Sequence, residues 1–226
     1  MIVIVPKVLE GDALAQCRAK LMTATWVEGA GMVRGAAAKV KNNHQLANDD
    51  PLRAELAQIV LSGLGRSQLF ATAALPLKVY PPGFNRYQEG QAYGDHVDHA
   101  VSFVPAARQH VRTDLSATLF LSDPGEYDGG ELTVRVSAAT FQVKLPAGDM
   151  VVYPASTVHH VRPISRGARL ASFFWIQSIV RNDGDRALLH ELDLATQRVL
   201  QALPDDPAGV QLIGVYQNLL RRWGDT

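Results

Sequence analysis

The chain has one cysteine, Cys17, in 226 residues. A single thiol excludes an intramolecular disulfide, and it excludes a zinc site built from paired cysteines of one chain. Excess charge of either sign is also missing, since 22 Lys and Arg face 22 Asp and Glu. Without a basic field there is no electrostatic footprint for nucleic acid. No apolar run approaches the ~18 residues that a membrane helix needs. The opening MIVIVPKVLE has no basic segment, and its apolar run stops at Pro6. It reads as a short strand rather than a secretory leader. A cytoplasmic protein with no membrane or nucleic-acid partner is therefore expected. What remains, 47% hydrophobic and 19% charged residues, is the composition of a globular domain with a sizeable core.

Three textures follow one another. From Gly11 to about Gly65 the period is helical. Ala13, Leu14, Cys17, Leu21 and Met22 recur at three- and four-residue steps, with Gly11-Asp12 as the expected N-cap. Cys17 on that stripe reads as a small core hydrophobe. Asp50-Pro51 opens a second helix, with Asp50 as cap and Pro51 where its missing N–H costs nothing. From about Phe70 to Ser178 short strands alternate with Gly, Pro, Asp and Asn, as in a sandwich, jelly roll or barrel. Leu115, Ala117, Leu119 and Leu121 alternate with polar residues, the pattern of a half-buried strand. Asp128-Gly129-Gly130 predicts a sharp reversal through positive φ. Beyond Ser178, two amphipathic helices are expected around Leu188–Leu203 and Val210–Leu220, joined by the PDDPA segment. The expected division is an N-terminal strand and helices over 1–77, a core over 78–178 and a helical hairpin over 179–226. Ala100 to Arg112 shows neither period and reads as a long loop, a kind of segment that is often functional. It is expected to be a mobile cover for the site.

Chemistry concentrates at Asp95-His96-Val97-Asp98-His99. On an extended segment, residues two apart project to one face, so His96 and Asp98 could reach one metal. In a chain with seven histidines that pair alone is a weak signal. A third nitrogen stands at His159 or His160. Two imidazoles and one carboxylate with open positions form the facial triad of non-haem Fe(II) oxygenases. Arg169 opens the apolar string RLASFFW. A guanidinium buried there calls for a carboxylate partner, which a ligand could bring as a bidentate pair.

The string Asn85–Asp98, NRYQEGQAYGDHVD, resembles the Tyr-x-x-Gly-x-x-Tyr-x-x-His-x-Asp signature of prolyl-4-hydroxylase-like, Fe(II)- and 2-oxoglutarate-dependent dioxygenases. Tyr87, Gly90, Tyr93, His96 and Asp98 occupy its places. Asp128-Gly129-Gly130-Glu131-Leu132 is similar to that family's hairpin, and His159-x-Val161-x-Pro163 with Arg169 to its distal block. With its flanks, the chain resembles bacterial PKHD-type hydroxylases of the YbiX/PiuC kind. The resemblance implies a mainly β fold with flanking helices around a double-stranded β-helix, or jelly roll. It implies Fe(II) held by His96, Asp98 and His159, the last preferred to His160 for its spacing to Arg169. It also implies 2-oxoglutarate chelating the metal, with its C5 carboxylate on Arg169 and Tyr87 hydrogen-bonded to it. The implied activity is hydroxylation of a C–H bond coupled to decarboxylation of 2-oxoglutarate to succinate and CO2, with L-ascorbate as reductant. Asp98 favours hydroxylation over halogenation, because related halogenases replace that carboxylate. The implied substrate is a small molecule or peptide, with a link to iron and siderophore uptake, and the C-terminal helices could pair two copies.

One departure is Phe120, where some animal prolyl hydroxylases carry a tyrosine; Thr118 or water would then support Arg169. Tyr93 and Trp175 read as core aromatics, and His99, His110 and Arg112 as parts of a solvated loop. Two other classes share the triad. A jelly-roll metal-dependent hydrolase would need no Arg169. A non-catalytic metal- or ligand-binding module would tolerate loss of Asp98.

Overall fold

Antiparallel pairing of short strands organises the chain, and the computed structural model describes residues 1–226 apart from Arg34, Ala106 and Thr226. Strand β1 (Val3–Val5) and helix α1 (Gly11–Met22) come first, then β2 (Val27–Glu28), α2 (Ala36–Lys39), β3 (Lys41–Asn42) and β4 (His44–Gln45). Helices α3 (Pro51–Arg66) and α4 (Gln68–Ala74) lead into β5 (Pro76–Val79), β6 (Gly83–Gln88) and β7 (Ala92–His96). The core continues through β8 (Val101–Val104), β9 (Gln109–Arg112), β10 (Leu115–Phe120), β11 (Tyr127–Gly129) and β12 (Leu132–Val136). It closes with β13 (Ala139–Val143), β14 (Met150–Pro154), β15 (Val158–Val161) and β16 (Ile164–Ser178), before helices α5 (Asp183–Ala202) and α6 (Pro207–Trp223).

The larger sheet runs β1-β14-β10-β16-β6-β4-β2, with β11 and β5 added along β16, and the smaller runs β13-β12-β15-β7-β3. This is the jelly-roll core. Residues from both sheets meet between them: Tyr87, Phe120, Val151 and Tyr153 from the larger, Leu132, Val134 and Val161 from the smaller. The outer face of the larger sheet lies under helices. Leu115, Ala117, Leu119, Leu170 and Phe174 pack there against Cys17, Leu21, Leu56, Val60 and Phe70. Burial pushes the Cys17 thiol up to about 12, so it behaves as a small hydrophobe. Among the described residues, no helix is long and apolar enough to cross a membrane.

Four expectations need correction. Glu10, not Asp12, holds the cap position of α1, and it makes no side-chain cap bond; Asp12 sits in the first turn, where its charge suits the positive end of the helix dipole. Phe70 belongs to α4 rather than to the strand region, because the Ser67 side chain accepts a bond from Phe70 N and starts a new helix there. Strand β10 is buried on both faces. Its Leu115, Ala117 and Leu119 face the helical layer, and its polar Ser116 and Thr118 line an internal cavity instead of meeting solvent. Finally, 100–112 is not a loop without structure. It forms the hairpin β8–β9, with Val101 opposite Arg112 and Val104 opposite Gln109; Ala106, near its tip, lies outside the described residues. Arg112 anchors the hairpin's base through Asp114 at 2.7 Å and the Ser178 carbonyl at 3.1 Å, and His110 packs on Phe103.

The Asp128-Gly129-Gly130 reversal has the predicted backbone, with φ +75 at Gly129 and +68 at Gly130. A Cβ at Gly129 would stand 2.0 Å from the Pro163 carbonyl oxygen. Gly129→Ala is therefore expected to lose about 2–3 kcal/mol of stability. Gly65→Ala, in open space near the end of α3, should gain roughly 0.5 kcal/mol. Urea unfolding of the two variants measures the contrast.

Candidate metal centre

Strand register builds the centre. His159 on β15 lies directly opposite His96, the last residue of β7, and side chains directly opposite on one face are near neighbours. The two imidazole centroids are 4.2 Å apart. Each ring is oriented through its Nδ1, which lies 2.8 Å from the Gly94 carbonyl in His96 and 3.0 Å from the Thr157 carbonyl in His159. A carbonyl can only accept, so Nδ1 carries the proton and Nε2 is left with a lone pair. Asp98 follows two residues beyond β7, and its Oδ2 is 3.6 Å from His159 Nε2. One ligand atom from each of His96, Asp98 and His159 can be chosen so that all lie within 4.8 Å of one another. That donor set suits Fe(II) and also admits other divalent metals.

The surroundings hold these groups in place and in their ligating forms. Burial, then the neighbouring His159, pushes His96 down to about 4, so the ring is neutral near neutral pH. Ser116 Oγ donates to Asp98 Oδ2 at 2.5 Å. Tyr93 stacks on His96 with centroids 3.6 Å apart, and Tyr153 meets His159 edge-on at 5.1 Å. His160 projects from the opposite face of β15, where its Nδ1 lies 2.7 Å from Asp95 Oδ1 and Arg135 holds the same carboxylate. Period-two alternation thus separates the two histidines that the sequence left side by side.

A cavity of about 620 Å³ opens beside the triad, a size usual for small-molecule sites. Arg169 lines it from β16, opposite Tyr87 of β6, and is 1% exposed. Its guanidinium faces the Phe120 ring at 4.9 Å and the Tyr87 ring at 5.5 Å. Its Nε and Nη2 have no hydrogen-bond partner among the described residues. A buried cation left unbonded is costly, and a carboxylate entering the cavity would satisfy it. The donor set and this orphaned guanidinium together fit a divalent metal beside an acid-bearing cosubstrate.

Tyr87 is fully buried, which pushes its phenol up to about 12 against the pull of Arg169; it stays a neutral donor. Burial raises the Tyr153 phenol as well, with Thr118 beside it opposing. Phe120 stands where some animal prolyl hydroxylases carry a tyrosine, and burial raises the nearby Tyr127 phenol, with Arg169 opposing. Trp175 and His99 line the cavity. Sequence reasoning missed Ser116, Tyr127, Tyr153 and Lys41, another cavity residue, which burial pushes down to about 8. For Ser116 a signal existed, since it shares the polar face of β10 with Thr118. The others carry none at sequence level.

A family model described as the 2OG-Fe(II) oxygenase superfamily matches residues 82–177, and one described as the PKHD-type hydroxylase C-terminal domain matches 183–225. A PKHD-type hydroxylase of Parvibaculum lavamentivorans is 51% identical over 226 residues, covering 100% of both chains. One from Bordetella pertussis is 52% identical over 211 residues, 93% of each. Among solved structures, a Trichoplax adhaerens prolyl hydroxylase in complex with a hypoxia inducible factor peptide has a TM-score of 0.53 at 13% identity, over 83% of this chain and 86% of that one. HygX from Streptomyces hygroscopicus, with nickel, 2-oxoglutarate and hygromycin B bound, has a TM-score of 0.51 at 15% identity, over 78% and 82%. These two likenesses are of fold.

Because His159 faces the triad and His160 faces Asp95, the two should separate cleanly on substitution. His159→Ala is expected to abolish stoichiometric metal binding, and His160→Ala to retain it. Metal analysis after anaerobic loading and desalting decides between them. Metal retained in the His159 variant would remove that residue from the site.

Proposed function

The chain belongs to the PKHD-type hydroxylases of the 2OG-Fe(II) oxygenase superfamily, an Fe(II)- and 2-oxoglutarate-dependent dioxygenase, and on that premise we propose that His96, Asp98 and His159 hold the metal while Arg169 and Tyr87 hold the cosubstrate. When bound, iron and 2-oxoglutarate together supply the oxygen chemistry that hydroxylates a C–H bond as 2-oxoglutarate is decarboxylated to succinate and CO2. L-Ascorbate is the reductant we assign for keeping the iron ferrous. The substrate is a small molecule or peptide; its link to iron and siderophore uptake rests on the resemblance alone.

The observation that carries this reading is Arg169, 1% exposed with two nitrogens unbonded among the described residues, lining the cavity that bears the triad. A jelly-roll hydrolase has no use for it. The chain's own residues then have separable tasks. His96 and His159 present Nε2 because backbone carbonyls take Nδ1–H. Ser116 steadies the Asp98 carboxylate with a charge-assisted bond. Arg169 orients the distal carboxylate of 2-oxoglutarate through two parallel N–H groups, and Tyr87 adds a phenol O–H from the adjacent strand. Tyr93 and Tyr153 pack against the ligand rings and keep water from their backs.

We carry the three-part division at 1–77, 78–178 and 179–226 forward as a proposal. Exposed Leu188, Leu194, Val210 and Val215 on α5 and α6 support a second copy pairing through those helices. Sedimentation velocity reads that out.

Arg169→Ala should weaken 2-oxoglutarate binding to the Fe(II) protein by about 2–5 kcal/mol and leave metal content unchanged. Arg169→Lys should recover only part, because an ammonium cannot make the bidentate fork. Anaerobic titration of 2-oxoglutarate, followed by its charge-transfer absorption, measures both. Wild-type affinity in the alanine variant would refute the assignment.

A further inference from the structure

The cavity carries more positive charge than the cosubstrate accounts for. Lys41, Arg53 and Arg169 line it, and Asp98 is its single carboxylate among the described residues. Arg53 is occupied at the rim, where Nε and Nη2 donate to the Pro82 and Pro81 carbonyls at 3.2 and 3.3 Å. Among the described residues Lys41 has no such partner. It is 7% exposed, and its ammonium rests 5.2 Å from the Tyr93 centroid and 6.0 Å from that of Phe173. Two aromatic faces stabilise a cation only modestly, and no carboxylate of the described residues comes within ion-pair distance.

Position separates Lys41 from Arg169. Lys41 is on β3, opposite Tyr93 of β7, in the smaller sheet. Along β16, Arg169, Phe173 and Trp175 share the cavity-facing parity. Phe173, the residue under Lys41, is four residues further along β16 than Arg169, roughly 13 Å along the strand. From there Phe173, Trp175 and Tyr80 form an edge-to-face ladder, with centroids 5.9 and 5.2 Å apart.

Charge makes the same point. Leaving aside Arg53 at the rim, a divalent metal, Lys41 and Arg169 face Asp98 alone, and a dianionic cosubstrate still leaves one positive charge over. We propose that Lys41 anchors the substrate, and that the substrate is a small molecule bearing a free carboxylate, seated on the ammonium with its carbon body along the Phe173–Trp175–Tyr80 ladder. This rests on the assignment of Arg169 to 2-oxoglutarate.

The test uses matched probes: N-acetylphenylalanine, 3-phenylpropionate and indole-3-acetate, each with its primary amide. Binding to the full-length protein loaded with Zn(II) and 2-oxoglutarate is measured by ligand-observed NMR, a readout independent of turnover. At least one acid is expected to bind about tenfold or more tightly than its amide. Lys41→Met should bring that ratio near one, and Lys41→Arg should keep it; Lys41→Gln replaces the methionine variant if the latter does not fold. Three results overturn the proposal: no acid binds, amides bind as well as acids, or the preference survives in Lys41→Met. So does a loss of 2-oxoglutarate affinity in Lys41→Met comparable to that in Arg169→Ala, which would place Lys41 on the cosubstrate. Failure of the underlying reading looks different, since Arg169→Ala would then bind 2-oxoglutarate normally whatever the acids do.

Discussion

A buried guanidinium with two nitrogens unpaired among the described residues, that of Arg169, is the constraint on which this site depends. Taking such an ion out of water costs several kcal/mol when nothing replaces its hydration, and the fold bears that cost at Arg169 with only partial relief. The faces of Phe120 and Tyr87 return about 0.5–2 kcal/mol each. Room for the side chain comes from the glycine turn on a neighbouring strand. A Cβ at Gly130 would lie 3.1 Å from Arg169 Cδ and 2.4 Å from Ile164 Cδ1. Glycine there serves two ends at once, the positive φ of the reversal and clearance for the Arg169 side chain. The rest of the charge is left for a ligand, so binding specificity is stored as an unmet electrostatic demand.

The metal side of the cavity is solved the opposite way, with demands met in advance. The imidazoles of His96 and His159, the proposed ligands, have their Nδ1 protons taken by carbonyls two residues earlier in the chain, Gly94 and Thr157. Local backbone therefore sets the tautomer without help from distant elements. What the tertiary fold adds is the register that puts His96 against His159, and the bulge between His159 and Val161. Outside the same strand, His160, Asp95 and Arg135 tie β15, β7 and β12 together. An ion-pair network thus links, on the solvent face, the strands that carry His96 and His159 on the inner face.

Much of this was legible in the sequence where chemistry demands a spacing. The His-x-Asp pair, the glycine reversal and the lone arginine in an apolar strand each follow from what a metal, a turn or a buried charge requires locally. Strand existence was legible as well, from Leu115 through Ser178. The polar face of β10 was not, because alternation says only that two faces differ, not that the second faces solvent. Ser116 and Thr118 face the cavity because a second sheet closes over them, a fact of tertiary packing. The hairpin at 101–112 escaped for a related reason. Val101 and Phe103 are polar-facing by position, half exposed at the cavity's mouth, so neither strand shows a buried period. Lys41 sits in a two-residue strand, too short to show any period, and a lone lysine reads as surface.

The division of labour between the two faces of the larger sheet explains how such an interior can persist. Asn43, Asn85 and Arg169, all lining the cavity, keep buried polar atoms without partners among the described residues, and each is a debit of about 1–3 kcal/mol or more. Stability has to come from elsewhere. The helical layer supplies it: α1, α3 and α4 seal the outer face with Cys17, Leu21, Leu56, Val60, Leu64 and Phe70, each under 5% exposed. Gly63 lets α3 approach the β1–α1 connection so closely that a Cβ would fall 2.3 Å from the Val8 carbonyl oxygen. Apart from Ala37 and Arg53 at the cavity, the N-terminal helices face away from it, and they supply the apolar packing that allows the inner face to stay polar, open and under-bonded. A fold that placed its best packing on the inner face would have had no room left for a cosubstrate.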